Sequence, residues 1–214
     1  TPLGVADTFA GWKGEGALNG ALNLDIPLQK GEPANVIVDF SANKASLAIS
    51  KPELQLNDVT GDFRYDTSKG LSAPAITARA LGHAIRGKAV ADGKPGQPRS
   101  RIEANGVVAL ASLTQWLGVK QKLPAEGSLP YRLNLSLEGA QSQLTVDSDL
   151  KGLSIAFPAP FGKAADEQRA TQWRMSFGGA EQRYGLDYAN VASFTLASPA
   201  GKFDQSRGEL RIGD

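Results

Sequence analysis

GSLPYRLNLSLEGAQSQLTVDSDLKGLSIAFPAPFGK, residues 127–163, is the stretch whose reading decides the fold. Leu133, Leu135 and Leu137 alternate with Asn134, Ser136 and Glu138. That is the period of two expected of a strand with one apolar and one wet side. Beyond a short turn through Gly139, Leu144 and Val146 alternate with Thr145 and Asp147, and Leu153, Ile155 and Phe157 alternate with Ser154 and Ala156. Sequential strands joined by short turns usually pair, so the three apolar sides are expected to merge into one surface of an antiparallel sheet. What covers that surface decides what the chain does.

The same pattern extends in both directions. Leu18, Leu22, Leu24 and Ile26 fall at even positions before Pro27, while Val36, Val38 and Phe40 form the next run. Leu47 with Ile49 and Leu54 with Leu56 read as brief strands broken at Lys51-Pro52. From Val59 to Asp66, Phe63 and Tyr65 share one side, and Gly70 closes a hairpin loop of the expected kind. Residues 92–98, DGKPGQP, are turn chemistry throughout and are expected to be a flexible loop. Leu110, Leu113, Trp116 and Leu117 give residues 109–117 the spacing of a helix, closed by Gly118. A second short helix is expected between Lys163 and Thr171. Strands resume at Trp173, Met175 and Phe177, and continue through Tyr184 to Tyr188, Phe194 with Leu196, and Leu210 with Ile212. The expectation is an all-β chain of roughly a dozen strands with one or two short helices, mainly antiparallel.

Composition narrows the function classes. The chain has 214 residues, 41% hydrophobic and 21% charged, which suits a folded protein with a core, and it carries no apolar run long enough to cross a bilayer. Lys and Arg number 23 against 22 Asp and Glu. Basic residues gather only at Lys94 to Arg101 and at Lys120 to Lys122, too sparsely for a nucleic-acid stripe. Cysteine is absent, which removes disulfides and thiolate ligands. The sequence opens on Thr1 and still reads as strand at its end, so a single segment of a longer chain is expected, with any anchor outside it.

Candidate chemistry is sparse. His83 is the one histidine, without a neighbouring acid or second ligand in sequence, and reads as structural. Asp147 and Asp149 lie two apart on an expected strand face, a spacing found in carboxylate sites but also on any solvated strand face. Gly178-Gly179 and Gly93 to Gly96 lack the flanking Lys-Ser/Thr of a phosphate cradle and read as turns. No catalytic constellation, metal or other cofactor is expected. Three scattered tryptophans and short strands do not make the aromatic girdles of a membrane barrel.

Residues 150–163, LKGLSIAFPAPFGK, resemble a recurring segment of AsmA-like proteins of Gram-negative envelopes, the YhdP family in particular. The similar pattern there is Leu-x-Gly-Leu-x-Ile-x-Leu-Pro-x-Pro-x-Gly-Lys, from which this chain departs by placing Phe157 where Leu is usual. Residues 20–28, 54–66, 70–71, 81–82 and 115–127 resemble the same family. The resemblance implies an open, twisted sheet curved into a U-shaped groove of the repeating β-groove type, related to TamB and bridge-like lipid transfer proteins. It implies a periplasmic location, an inner-membrane anchor elsewhere, and a role as a conduit for phospholipid acyl chains between the two membranes. The residues whose parity would line such a trough are Leu133, Leu135, Leu137, Leu144, Val146, Leu153, Ile155 and Phe157, with Leu22, Leu24, Ile26, Phe63 and Tyr65. From alternation alone the commoner outcome is that such faces close on each other as a sandwich core, and the alternative function is a closed β-sandwich or β-solenoid that scaffolds the envelope and binds protein or glycan.

Overall fold

Alternation of apolar and polar side chains is realised as strand over most of the computed structural model, which describes residues 12–15, 18–25, 35–50, 53–200 and 202–213. The strands are β1 (Trp12–Glu15), β2 (Leu18–Asp25), β3 (Asn35–Ser50), β4 (Glu53–Asp66), β5 (Gly70–Ala80), β6 (His83–Ala91) and β7 (Ser100–Ala109). After helix α1 (Leu110–Trp116) come β8 (Ala125–Leu137), β9 (Ser142–Ser148), β10 (Leu153–Ile155), β11 (Thr171–Phe177), β12 (Glu181–Tyr188), β13 (Ala192–Pro199) and β14 (Arg207–Ile212). They form one open antiparallel sheet of 14 strands, ordered β1-β3-β4-β5-β6-β7-β8-β9-β11-β12-β13-β14, with β2 pairing β3 and β10 pairing β8 beside that path. Among the described residues the order has two free ends and does not close into a barrel.

Two sequence expectations are corrected. The runs around Phe40 and Leu47 are one strand of 16 residues, and those around Leu54 and Phe63 one of 14. The interruptions are bulges: Lys44 and Asp58 both sit at φ 53, and register shifts flank the pair Ala45 and Val59. An extra residue on β3 is balanced by one on β4, which keeps Ala42, Ala45, Leu47, Val59 and Leu56 on one side. Thr60 ties the bulges together, its hydroxyl accepting from the Lys44 amide at 3.1 Å and donating to the Asp58 carbonyl at 3.3 Å. The helix expected at Lys163–Thr171 is absent, because its backbone is committed elsewhere. The Gly152 amide takes the Ala165 carbonyl at 2.7 Å, and the Arg169 amide gives its hydrogen to Asp149 at 2.7 Å.

The chain forms two compact units. The first comprises residues 1–80, 84–104 and 135–139. Its buried clusters are Ala42, Ala45, Val59 and Ala78, with Leu47, Leu56, Phe63 and Ile85 against them, and Leu71, Ala73 and Ala89, with Phe63, Tyr65, Ile76 and Ile102 against them. Alanines dominate the buried set, with Val59, Leu71 and Leu137 as its larger members, while Phe63, Tyr65, Ile76 and Ile102 are half-buried. The β4–β5 hairpin is held by Asp66, whose Oδ1 accepts from the Ser68 amide at 2.8 Å, the Ser68 hydroxyl at 2.6 Å and the Lys69 amide at 3.3 Å. Gly70, at φ +115, has no room for a Cβ: one would lie 2.5 Å from the Arg99 carbonyl oxygen. The loop at 92–98 is pinned at its neck, where Asp92 accepts from Arg99 at 2.7 and 3.0 Å and pairs with Arg101 at 2.6 Å.

The second unit comprises residues 81–83, 105–134 and 140–214. It holds α1 and the meander β9-β11-β12-β13-β14, each strand antiparallel to the next. Among the described residues of the chain, the most fully buried are Ala73 at 0% and Ser100, Ser142 and Ser198 at 2%, while the most buried leucine, Leu153, keeps 5%. A sealed core would instead bury Leu, Ile and Phe completely.

Candidate functional site

In the second unit, register turns alternation into rows that run across the strands. Val146 pairs with Trp173, Trp173 with Leu186, Leu186 with Phe194 and Phe194 with Leu210. One step along, Leu144, Met175, Tyr184 and Leu196 form a parallel row ending at Gly208. Directly paired residues in a sheet point to the same side, so both rows belong to one apolar face. Leu186 and Phe194 are each 38% exposed and Leu210 is 62% exposed. The face is therefore assembled and open, not packed under a second layer. Phe203 leans edge-on over Tyr184 at 6.4 Å and extends it.

The first unit repeats the arrangement with different residues. Val38 pairs with Tyr65, Phe40 with Phe63, Leu47 with Leu56 and Ile49 with Leu54 across β3 and β4. Phe40 and Phe63 stack with centroids 5.0 Å apart and planes 8° from parallel. Tyr65 is half-buried beside them, and burial pushes its hydroxyl above the ordinary phenol range, with the nearby Asp66 charge adding to the rise.

The 150–163 segment that carries the family resemblance folds as a loop around its last residue. The Lys163 ammonium is buried, donating to the carbonyls of Leu150 at 3.0 Å, Ala164 at 2.8 Å and Leu153. Ile155 and Lys163 exchange both backbone hydrogen bonds, at 2.9 and 3.0 Å. Gly127 and Gly152 let β8 and β10 approach so closely that a Cβ on Gly127 would stand 2.1 Å from the Gly152 oxygen. The loop then docks on the β12 meander strand: Tyr188 donates to the Phe161 carbonyl at 2.8 Å, and the Arg169 guanidinium lies 5.7 Å from the Tyr188 ring centroid. Glu167 pairs with Arg169 at 2.8 Å, and that hydrogen bond holds its carboxyl below the usual range.

Ten of the thirteen expected lining residues have side chains among the described residues. Leu144 and Val146 stand in the two rows just described. Leu133, Leu135 and Leu137 alternate along β8 with exposed Asn134, and Leu137 is buried. Phe63 and Tyr65 belong to the face of the first unit. Leu153 is 5% exposed and Ile155 half-buried, both on β10, which pairs with the start of β8 and not with β9 as sequential pairing suggested. Phe157 lies off the sheet and is 55% exposed, because the strand stops at Ile155 before Pro158 and Pro160. The backbones of Leu22 and Leu24 pair with Val38 and Val36, their side chains are outside the described set, and Ile26 lies outside the described residues. Sequence reasoning read Trp173, Met175, Leu186, Phe194, Leu196 and Leu210 as strand residues without assigning them to the face. Their alternation was visible, but their register was not.

The opposite faces are polar. In the first unit Ser41 donates to Asp62 at 2.6 Å and Arg64 pairs with Asp39 at 3.4 Å, around a depression of about 460 Å³ lined also by Ser72 and Pro74. In the second, a depression of about 520 Å³ is lined by Arg174, Arg183, Arg207, Thr195 and Glu209 together with Met175, Tyr184 and Leu196. Asp147 accepts from Gln172 at 2.7 Å, whereas Asp149 lies past the end of β9 and accepts from the Lys151 amide at 3.0 Å. The His83 Nε2 accepts from the Ala109 amide at 3.4 Å. Among the described residues no three His, Asp or Glu gather as metal ligands, and no helix is long and apolar enough to cross a membrane.

Comparison with the curated proteins and with the solved structures finds no match. A family model described as YhdP protein matches residues 1–214. With that match across an all-β sheet whose 150–163 loop is built around the motif glycine and lysine, the chain belongs to the YhdP family of AsmA-like envelope proteins.

Proposed function

We propose that this chain is a conduit for phospholipid acyl chains, shielding them from water on the open apolar faces of its sheet during passage between the inner and outer membranes, in the periplasm. The observation that carries the reading is the row Val146–Trp173–Leu186–Phe194–Leu210, apolar on five successive strands and still partly exposed at Leu186, Phe194 and Leu210. Each methylene left in water costs about 0.8 kcal/mol, so a chain of ~16 carbons exposes about 13 kcal/mol of unfavourable surface. Contact with an apolar face relieves much of that cost and is non-directional, so an acyl chain can slide along a row without breaking specific bonds. The role is passive: no side chain acts as acid, base or nucleophile.

Family membership supports an envelope role, and the paucity of fully buried large side chains among the described residues supports an uncovered face. The test is to purify the chain, extract it and quantify phospholipid by mass spectrometry. Stoichiometric phospholipid is expected. Folded protein that carries none would return the chain to the class of scaffolds that bind protein or glycan.

A further inference from the structure

Strands β7 and β8 are neighbours in the sheet, yet the chain between them is no short hairpin turn. Residues 110–124, LASLTQWLGVKQKLP, form an excursion that begins as α1 and ends at Pro124. Hairpin connections are ordinarily 2–5 residues, and a longer one carrying its own apolar residues has to place them somewhere. Here they are not placed in a core. No residue of α1 is buried, Leu117 is 59% exposed and Leu123 is 40% exposed.

The backbone that presents them is well held. The Leu117 amide donates to Leu113 at 3.0 Å, the Gly118 amide to Gln115 at 3.1 Å and the Val119 amide to Thr114 at 2.9 Å. Gly118, at φ 68, then turns the chain out of the helix. Leu117 therefore sits on an ordered turn, and Leu123 follows in the irregular stretch that leads to β8. Charge on the excursion is of one sign: Lys120 and Lys122 are exposed, neither is in an ion pair among the described residues, and residues 110–124 contain no Asp or Glu. Trp116, half-buried, is the last residue of α1, four residues before Lys120.

Exposed leucines, a tryptophan at the boundary and two lysines with flexible stems are the chemistry of a segment that lies in a bilayer interface. We propose that residues 110–124 dock on the surface of an anionic lipid bilayer, with Leu117 and Leu123 entering the headgroup–acyl boundary and Lys120 and Lys122 meeting lipid phosphates. The occupant is the bilayer surface itself, chosen by the unbalanced positive charge beside the leucines. This contact is separate from the apolar sheet face and does not depend on what that face carries.

Co-sedimentation of the purified chain with vesicles tests it, using phosphatidylglycerol mixed into phosphatidylcholine against phosphatidylcholine alone. The chain should pellet with the anionic vesicles and much less with the neutral ones. Leu117→Asp combined with Leu123→Asp should cut partitioning more than about tenfold with the circular-dichroism spectrum unchanged, since neither side chain is buried. Lys120→Gln and Lys122→Gln should each cut it about fivefold and flatten its salt dependence. Leu186→Asp on the sheet face should leave sedimentation as it is. Equal binding to both vesicle types, or full binding by the folded double-leucine variant, would overturn the proposal. So would loss of sedimentation in Leu186→Asp alone, which would assign vesicle binding to the sheet face.

Discussion

Trp173 and Leu186 are direct cross-strand partners on β11 and β12, and Leu186 keeps 38% of its surface exposed although the bulky Phe194 flanks it on the other side. A leucine set between two aromatic residues and still open to solvent belongs to an uncovered face. Leu186→Asp should therefore cost less than about 1 kcal/mol of stability in urea unfolding, as surface substitutions do. A charge forced into a sealed core would cost several times that. The same variant should retain much less phospholipid on extraction, as should Leu135→Asp on β8.

Lys163 should be worth more to stability than any exposed charge on the chain. Its buried ammonium satisfies three carbonyls, and Lys163→Met would leave them without a donor at about 1–3 kcal/mol for the buried group. A lowered thermal midpoint and faster amide exchange at Gly152 and Ile155 are expected. Unchanged exchange at those amides would mean that the loop does not depend on the lysine.

Two glycine substitutions should separate crowding from backbone strain. Gly127→Ala puts a methyl 2.1 Å from the Gly152 oxygen and should disrupt the β8–β10 pairing. Gly82, at φ +83 with nothing within 4 Å, carries only the left-handed strain of roughly 1–2 kcal/mol. Gly82→Ala should thus be a mild variant and Gly127→Ala a severe one in the same denaturation assay.

Acid should loosen the first unit through Asp66 and Asp92. At Asp66 burial pushes the carboxyl up, but hydrogen bonds from Ser68 and Lys69 outweigh it and the net shift is downward. At Asp92 the hydrogen bond from Arg99 is the leading cause of a lowered value. A carboxyl that titrates lower in the folded chain contributes stability fully above its unfolded value of about 3.9, and that contribution fades as pH falls below it. Stability should drop below about pH 4, and Asp66→Asn with Asp92→Asn should flatten that slope in urea titrations at several pH values.

The one-sided strands were legible because alternation at Leu133–Leu137 and Leu144–Val146 follows from side-chain geometry alone. Strand lengths were not. Lys44 and Asp58 look like turn residues, and only pairing shows that they are bulges inside continuous strands. Placing Phe157 in a strand overlooked Pro158 and Pro160, and placing a helix at Lys163–Thr171 followed local propensity where a buried ammonium decides the backbone path. The face itself was only half visible: Trp173 and Leu210 joined Val146 through register, which no single strand encodes.

The most direct test of the central claim uses adjacent positions on opposite faces. Phe194 stands in the apolar row opposite Leu186, while Thr195 lies opposite Gly185 and lines the depression of the second unit. The photocrosslinker p-benzoylphenylalanine would be placed at one or the other position in cells labelled with radioactive phosphate, and the purified protein examined for bound lipid label after irradiation. Strong phospholipid crosslinking at position 194 with little at 195 is the predicted result. Equal labelling at the two positions, or labelling at 195 alone, would contradict an acyl chain carried on the apolar face.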